Sequence, residues 1–210
     1  MLHKETVNAA TLELIRRLQS DLLFRDFVLV GGTALSLQIG HRISVDIHFF
    51  TRNNFDNQEL LEYLELNYGF QMQYIHQNTL KGIINGVFVD FLKHDYPNVA
   101  IPAKIEGIVL SSLNDIAAMK VNAITGNGTR IKDFVDIYFL LKQFTFSQII
   151  EFYKIKYKTR NDFHATKSLT WFDDISSEEW PNMLLEKDLT LDVLKKELIT
   201  KRDIFLKTTH

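Results

Sequence analysis

The stretch VLVGGTALSLQIGHRISVDIHFF, Val28 to Phe50, decides how the chain is read. The apolar run FVLV (Phe27–Val30) has the composition of a short buried strand, and Gly31-Gly32 breaks it. TALSLQIG then reads as a helix closed by Gly40, and SVDIHFF (Ser44–Phe50) as a returning strand. Side chains two apart on a strand share a face. Asp46 and His48 are therefore expected to project together, with Val45, Ile47 and Phe49 turned oppositely into apolar packing.

A second acid, Asp90, stands in VFVDFL, again among strand-forming neighbours. If the two strands lie side by side, Asp46, His48 and Asp90 converge. Grouped carboxylates repel one another and resist desolvation, so such a group asks for a cation. A divalent ion with bound phosphate is the usual answer. A lone strand Asp is as readily an edge or solvent-facing residue, and that alternative stays open for Asp90. Gly31-Gly32 before a helix lets the backbone approach a phosphate, to which helix N-terminal amides and the Thr33 hydroxyl can donate. Glycine pairs also simply make tight turns. What adds weight is spacing: Asp46 follows Gly32 by one short helix and one return strand.

Working outward, residues 6–19 carry a helical apolar stripe, and Asn57–Gly69 reads as a helix ending on glycine. FQMQYIHQ, GIIN and GVFVDFLKHD follow, with Asn85-Gly86 between apolar runs as a hairpin signal. One further strand is expected around Lys104–Leu110. From Ser112 the pattern turns helical: SLNDIAAMKVNAI, RIKDFVDIYFLLKQ, FSQIIEFYKIKY and a last helix near Leu191–Phe205. The fold class is α+β: a mixed sheet core with flanking helices over 1–110, then a helical C-terminal region over 111–210, with the active cleft expected between them.

Composition narrows the function classes. The 210 residues hold no cysteine, which excludes disulfides, thiolate zinc sites and a Cys nucleophile. The seven histidines show no zinc spacing. No apolar run is long enough to span a bilayer, and charges interrupt any signal-peptide core, so a soluble, cytoplasmic protein is expected. The net charge of −2 argues against indiscriminate polyanion binding. Lys154–Arg160 (KIKYKTR) interleaves cations with tyrosines, an arrangement suited to RNA, although a solvated helix end is the account preferred here. Thr170–Pro181, with both tryptophans, reads as a capped loop packed on the core or as a docking segment.

LVGGTAL, HRISVDIHFF, VDFL, KVNAI…RIKDFVDIYFLL and KSLTWFDDISSEEWPNML together resemble the AbiEii/AbiGii toxin family of nucleotidyltransferase-like proteins. The resemblance implies a DNA-polymerase-β-type nucleotidyltransferase core. It further implies transfer of a nucleotide from an NTP to an acceptor such as tRNA or other RNA, toxin activity in toxin–antitoxin or phage-defence systems, and control by a cognate antitoxin. It places Gly31, Gly32 and Thr33 at the phosphate turn, Arg42 and Ser44 at the strand entry, Asp46 as first metal-binding acid and Asp90 as third. Lys120 and Lys132 fall where the family contacts nucleotide, and Asp133 and Asp136 where its catalytic acids lie. One departure stands out: the expected Asp-x-Asp reads Asp46-Ile47-His48. Imidazole is a poor Mg²⁺ ligand and suits Mn²⁺ better. Position 48 thus marks either a retuned metal site or a nucleotide-binding or interaction protein that has lost catalysis.

Overall fold

In a computed structural model, which describes residues 1–160, 162–176 and 179–209, the alternation of apolar and polar residues resolves into a seven-stranded mixed sheet. Its strands are β1 (Val28–Val30), β2 (Ile47–Thr51), β3 (Gln71–His76), β4 (Thr79–Ile84), β5 (Val87–Lys93), β6 (Ala103–Ile105) and β7 (Ile108–Leu110). They run in the order β3-β4-β5-β2-β1-β7-β6. Pairs β2–β5 and β1–β7 are parallel, and the other neighbours antiparallel. Register aligns Leu80, Phe91, Phe49, Leu29 and Leu110 in one row across five strands, every one fully buried. Phe49 and Phe91 stack at 5.7 Å, and Phe24 packs on Phe91 at 5.3 Å. Because strand side chains alternate, the neighbouring row, Lys81, Asp90, His48 and Val30, lies on the opposite face.

Three helices accompany this sheet: α1 (Ala9–Ser20), α2 (Gly31–Ile39) and α3 (Asn57–Tyr68). Asn8 caps α1 and Asp56 caps α3 through side-chain acceptors, while Gly40 and Gly69 close α2 and α3 in the left-handed conformation. The Asn85-Gly86 hairpin forms with both residues at positive φ, joining β4 to β5. Lys104–Leu110 departs from the single strand expected of it. Glu106 and Gly107, at φ of 51° and 85°, turn it into a second two-residue hairpin, β6–β7.

The chain divides into two compact units, and the division is not a simple cut. The sheet unit comprises Met1–Tyr96 and Pro102–Ser111; the helical unit takes Pro97–Ile101 together with Ser112 onward. The helical unit contains α4 (Leu113–Gly126), α5 (Ile131–Leu140), α6 (Phe146–Tyr157), α7 (Phe163–Ser168) and α8 (Leu191–Thr209). Asp115 explains why five residues cross over. Its buried carboxylate accepts from the amides of Val99 and Ala100 (both 3.0 Å), from Ser112 Oγ (2.6 Å) and from Lys156 Nζ (2.8 Å). Burial pushes this carboxyl up, but Lys156, Ser112 and the two amides together hold it below its ordinary value.

Lys156 is therefore a core residue and does not face an RNA backbone. Lys154 faces Glu151 and Asp162, at 3.4 and 4.0 Å, and Lys158 is the left-handed cap of α6. Of Thr170–Pro181, Ser177 and Glu178 lie outside the described residues; in the rest, Phe172 packs on Phe134 at 5.6 Å and Trp171 donates to Asp174. Among the described residues no helix is long and apolar enough to cross a membrane.

Lys156→Met should cost about 3–5 kcal/mol in urea unfolding, since it strands a buried carboxylate, whereas Lys154→Met should change stability by less than about 1 kcal/mol. The Asp115 contribution carries its own sign with pH. A lowered folded pKa means the stabilisation is complete above the unfolded value of about 3.9 and disappears as pH falls through the folded one. The stability gap between wild type and Asp115→Asn should therefore narrow on acidification below about pH 4.

Candidate functional site

Gly31 ends β1 and opens α2 at φ +73°, a conformation that L side chains rarely adopt. Its turn sets the length of the neighbouring strand. Val30 pairs with His48, so β1 offers no partner further along, and β2 begins only at Ile47. Asp46 thus precedes the strand instead of lying within Ser44–Phe50, and Val45 is 57% exposed, not packed inward.

What holds Asp46 is its backbone. Thr33, wholly buried in the first turn of α2, contacts the Asp46 carbonyl and lies 2.8 Å from Ser44 Oγ. A carbonyl only accepts, so the Thr33 proton goes to Asp46, and the Ser44 hydroxyl completes the other contact. The Thr33 hydroxyl, expected to face a phosphate, is instead committed to this lock. Ser44 is anchored in turn by donating its amide to Thr6 O at 2.9 Å.

Gly32 has a different reason to be glycine. A Cβ there would lie 2.4 Å from Arg42 Nη2 and 3.3 Å from Ser44 Oγ. The buried guanidinium packs where that side chain would be, and Arg42 Nη1 donates to the Ile43 carbonyl at 3.1 Å. His41 beside it is also fully buried. Gly31, Gly32, Thr33, Arg42, Ser44 and Asp46 are thereby gathered into one interlocked turn.

His48 and Asp90 meet as neighbours in register, with Nδ1 to Oδ2 at 3.3 Å. A residue that the sequence reading missed joins them. Lys81, opposite Asp90 on β4, puts Nζ 3.2 Å from the same Oδ2. The signal was available: a two-residue turn at Asn85-Gly86 pairs position 84 with 87 and hence 81 with 90. Burial raises the Asp90 carboxyl, but the hydrogen bond and charge of His48, followed by Lys81, outweigh it and hold it below its ordinary value. On the far side His48 borders the turn, its Cδ2 3.2 Å from where a Gly31 Cβ would lie.

These residues do not fit the paired-cation carboxylate site that the resemblance implies. Among the described residues no three His, Asp or Glu side chains come together to hold a metal ion. The second acid is an imidazole, and the third is already neutralised by an ammonium.

In the helical unit, Lys120 on α4 reaches Asp133 Oδ1 and Asp136 Oδ2 on α5, each at 2.6 Å. All three are buried; the two acids are 2% and 0% exposed. Their spacing of three puts both acids on one helix face, as α-helical periodicity requires. Asp133 Oδ2 makes no hydrogen bond, and Arg130 Nε stays 3.9 Å from it. Lys132 faces Glu179 at 3.7 Å and takes no part in this group.

The chain matches the family described as nucleotidyl transferase AbiEii toxin, type IV TA system, over residues 13–109 and again over 83–201. It is 30% identical over 177 residues to an uncharacterized protein of Aquifex aeolicus (strain VF5), covering 81% of this chain and 85% of that one. A crystal structure of a nucleotidyltransferase candidate from H. pylori superposes with a TM-score of 0.56 at 19% identity, covering 98% and 94% of the two chains, a likeness of fold. The Megavirus polyadenylate synthase matches at a TM-score of 0.46 and 20% identity over 62% of this chain; the chain spans 31% of that enzyme's length.

Removing the lock should be measurable without any ligand. Thr33→Val leaves Ser44 Oγ and the Asp46 carbonyl without their partner and should cost about 1–3 kcal/mol in chemical denaturation. Thr33→Ser, which keeps the hydroxyl, should recover most of that loss.

Proposed function

Because the chain belongs to the AbiEii nucleotidyl transferase toxin family of type IV toxin–antitoxin systems, we propose that it transfers a nucleotide from an NTP to the hydroxyl of an RNA acceptor, tRNA foremost, with toxic effect that a cognate antitoxin restrains. The observation that carries this reading is the lock itself. Thr33 fastens the entry of Asp46 onto the first turn of α2, so a backbone shaped for phosphate and a carboxylate are held as one piece.

The triphosphate is received by the amides of Gly31 and Gly32 at the N-terminus of α2, where unpaired N–H groups favour an anion. Asp46, half-buried beside that turn, faces the reacting phosphate. In the transfer, the acceptor oxygen bonds to the α-phosphorus as the bond from that phosphorus to the α,β-bridging oxygen breaks, and pyrophosphate leaves with the electron pair. Asp46 orients the acceptor hydroxyl and takes its proton. Arg42, packed against Gly32, keeps the turn rigid and adds positive potential beneath it. In the helical unit, Asp133 and Asp136 hold Lys120 in one position.

A second reading has an observation of its own. With His48 at the second acid's place and Lys81 on the third, the scaffold also suits a protein that binds nucleotide without transferring it.

Incubation of the purified chain with each of the four α-³²P-labelled NTPs and bulk tRNA should label RNA with at least one of them. Asp46→Asn should lower the rate about a hundredfold or more with its circular dichroism unchanged. Nucleotide binding without label in RNA selects the second reading, and absence of both rejects the nucleotide site altogether.

A further inference from the structure

Asp90 is 16% exposed at its side chain and sits between two cationic or proton-donating groups that the strand register supplies from either side. Lys81 is partly exposed, but it does not reach Asp90 by chance. Its position opposite Asp90 is fixed by the Asn85-Gly86 turn, from which the β4–β5 hairpin runs in register through six ladder pairs to Thr79 and Leu92. The same carboxylate oxygen receives both neighbours, Nζ at 3.2 Å and Nδ1 at 3.3 Å. An oxygen so engaged is a poor ligand for a hard divalent ion, which must strip donors from its ligand and tolerate any positive charge beside it. The row ends at Val30, and His48 within it borders Gly31, so whatever neutralises Asp90 also sets the charge next to the turn.

We propose that Lys81 is a resident cation at Asp90, standing in for a divalent ion beside the glycine turn. The inference rests on the nucleotide-site reading of that turn and adds to it the charge carrier that the family's acidic pattern lacks here. Lys81 supplies one fixed positive charge in place of two mobile ones, and His48 completes the coordination of Asp90 where an acid would otherwise compete for a metal. The chain by itself accordingly takes up at most one divalent ion at this site.

Mn²⁺ binding, read from the electron paramagnetic resonance of the free ion in titrations without nucleotide, tests this. The wild type should bind weakly and at no more than one ion per chain. Lys81→Met should tighten binding at least tenfold, and Lys81→Met with His48→Asp should bring a second equivalent. Lys81→Gln gives the same readout should the methionine variant fail to fold, as judged by circular dichroism. Two ions on the wild-type chain, or a gain of less than tenfold in the folded Lys81 variant, would overturn the proposal. Since no NTP is present, a negative transfer assay leaves this result intact, and the two failures are told apart.

Discussion

The parallel pairing of β2 with β5 is the constraint on which the sheet unit depends. Phe49 opposite Phe91 places two fully buried rings in contact, and the row extending from them to Leu80, Leu29 and Leu110 forms the centre of the core. Burying one such side chain stabilises by about 1.5–3 kcal/mol, so register is strongly specified. A slip of one residue would exchange this row with Lys81, Asp90 and His48, driving charges into the core. The packing of the phenylalanines therefore also determines which polar groups meet on the other face. Site geometry here is a consequence of core geometry.

Much of this was legible in sequence because it rests on local rules. Gly40 and Gly69 stop their helices, Asn85-Gly86 makes its hairpin, and the helical stripes from Ser112 onward are present as helices. All but one of the misreadings share a cause: they depended on a partner that another element supplies. Where β2 starts is decided by the turn that Gly31 imposes on β1, so Val45 lost its expected packing. Glu106-Gly107 was passed over because glutamate rarely takes positive φ. Lys81 required combining a hairpin register with the position of an acid, two observations that the reading of residues one by one kept apart. Lys156 gave no sign of burial until Asp115 was seen to gather the Val99 and Ala100 amides.

The two buried lysines of the helical unit show how similar ion pairs come to differ in meaning. Both carboxylate oxygens of Asp115 are engaged, by Lys156, Ser112 and two backbone amides, and Lys156 also donates to the Pro97 carbonyl. Such saturation stabilises structure and leaves nothing for a ligand. Lys120 is held as tightly, but Asp133 keeps one buried oxygen without a hydrogen bond. An unsatisfied buried acceptor costs about 1–3 kcal/mol, and natural proteins keep few of them. A group that forgoes that stability is the better candidate for a functional role, and on that count Lys120 is a better one than Lys156.

The same comparison bears on Asp90. Two unit charges 4 Å apart in a partly solvated site interact by about 4 kcal/mol, and a divalent ion doubles that. Solvent reaching the 42%-exposed Lys81 side chain reduces the figure, but the direction is fixed. A metal approaching Asp90 is repelled by the ammonium that already neutralises it, and His48 brings it no negative charge. In the proposed nucleotide site a triphosphate would meet the opposite field: the cation that weakens metal binding would attract the nucleotide. His48 and Lys81 thus act in one direction, placing the protein's own positive charge or proton donors against Asp90.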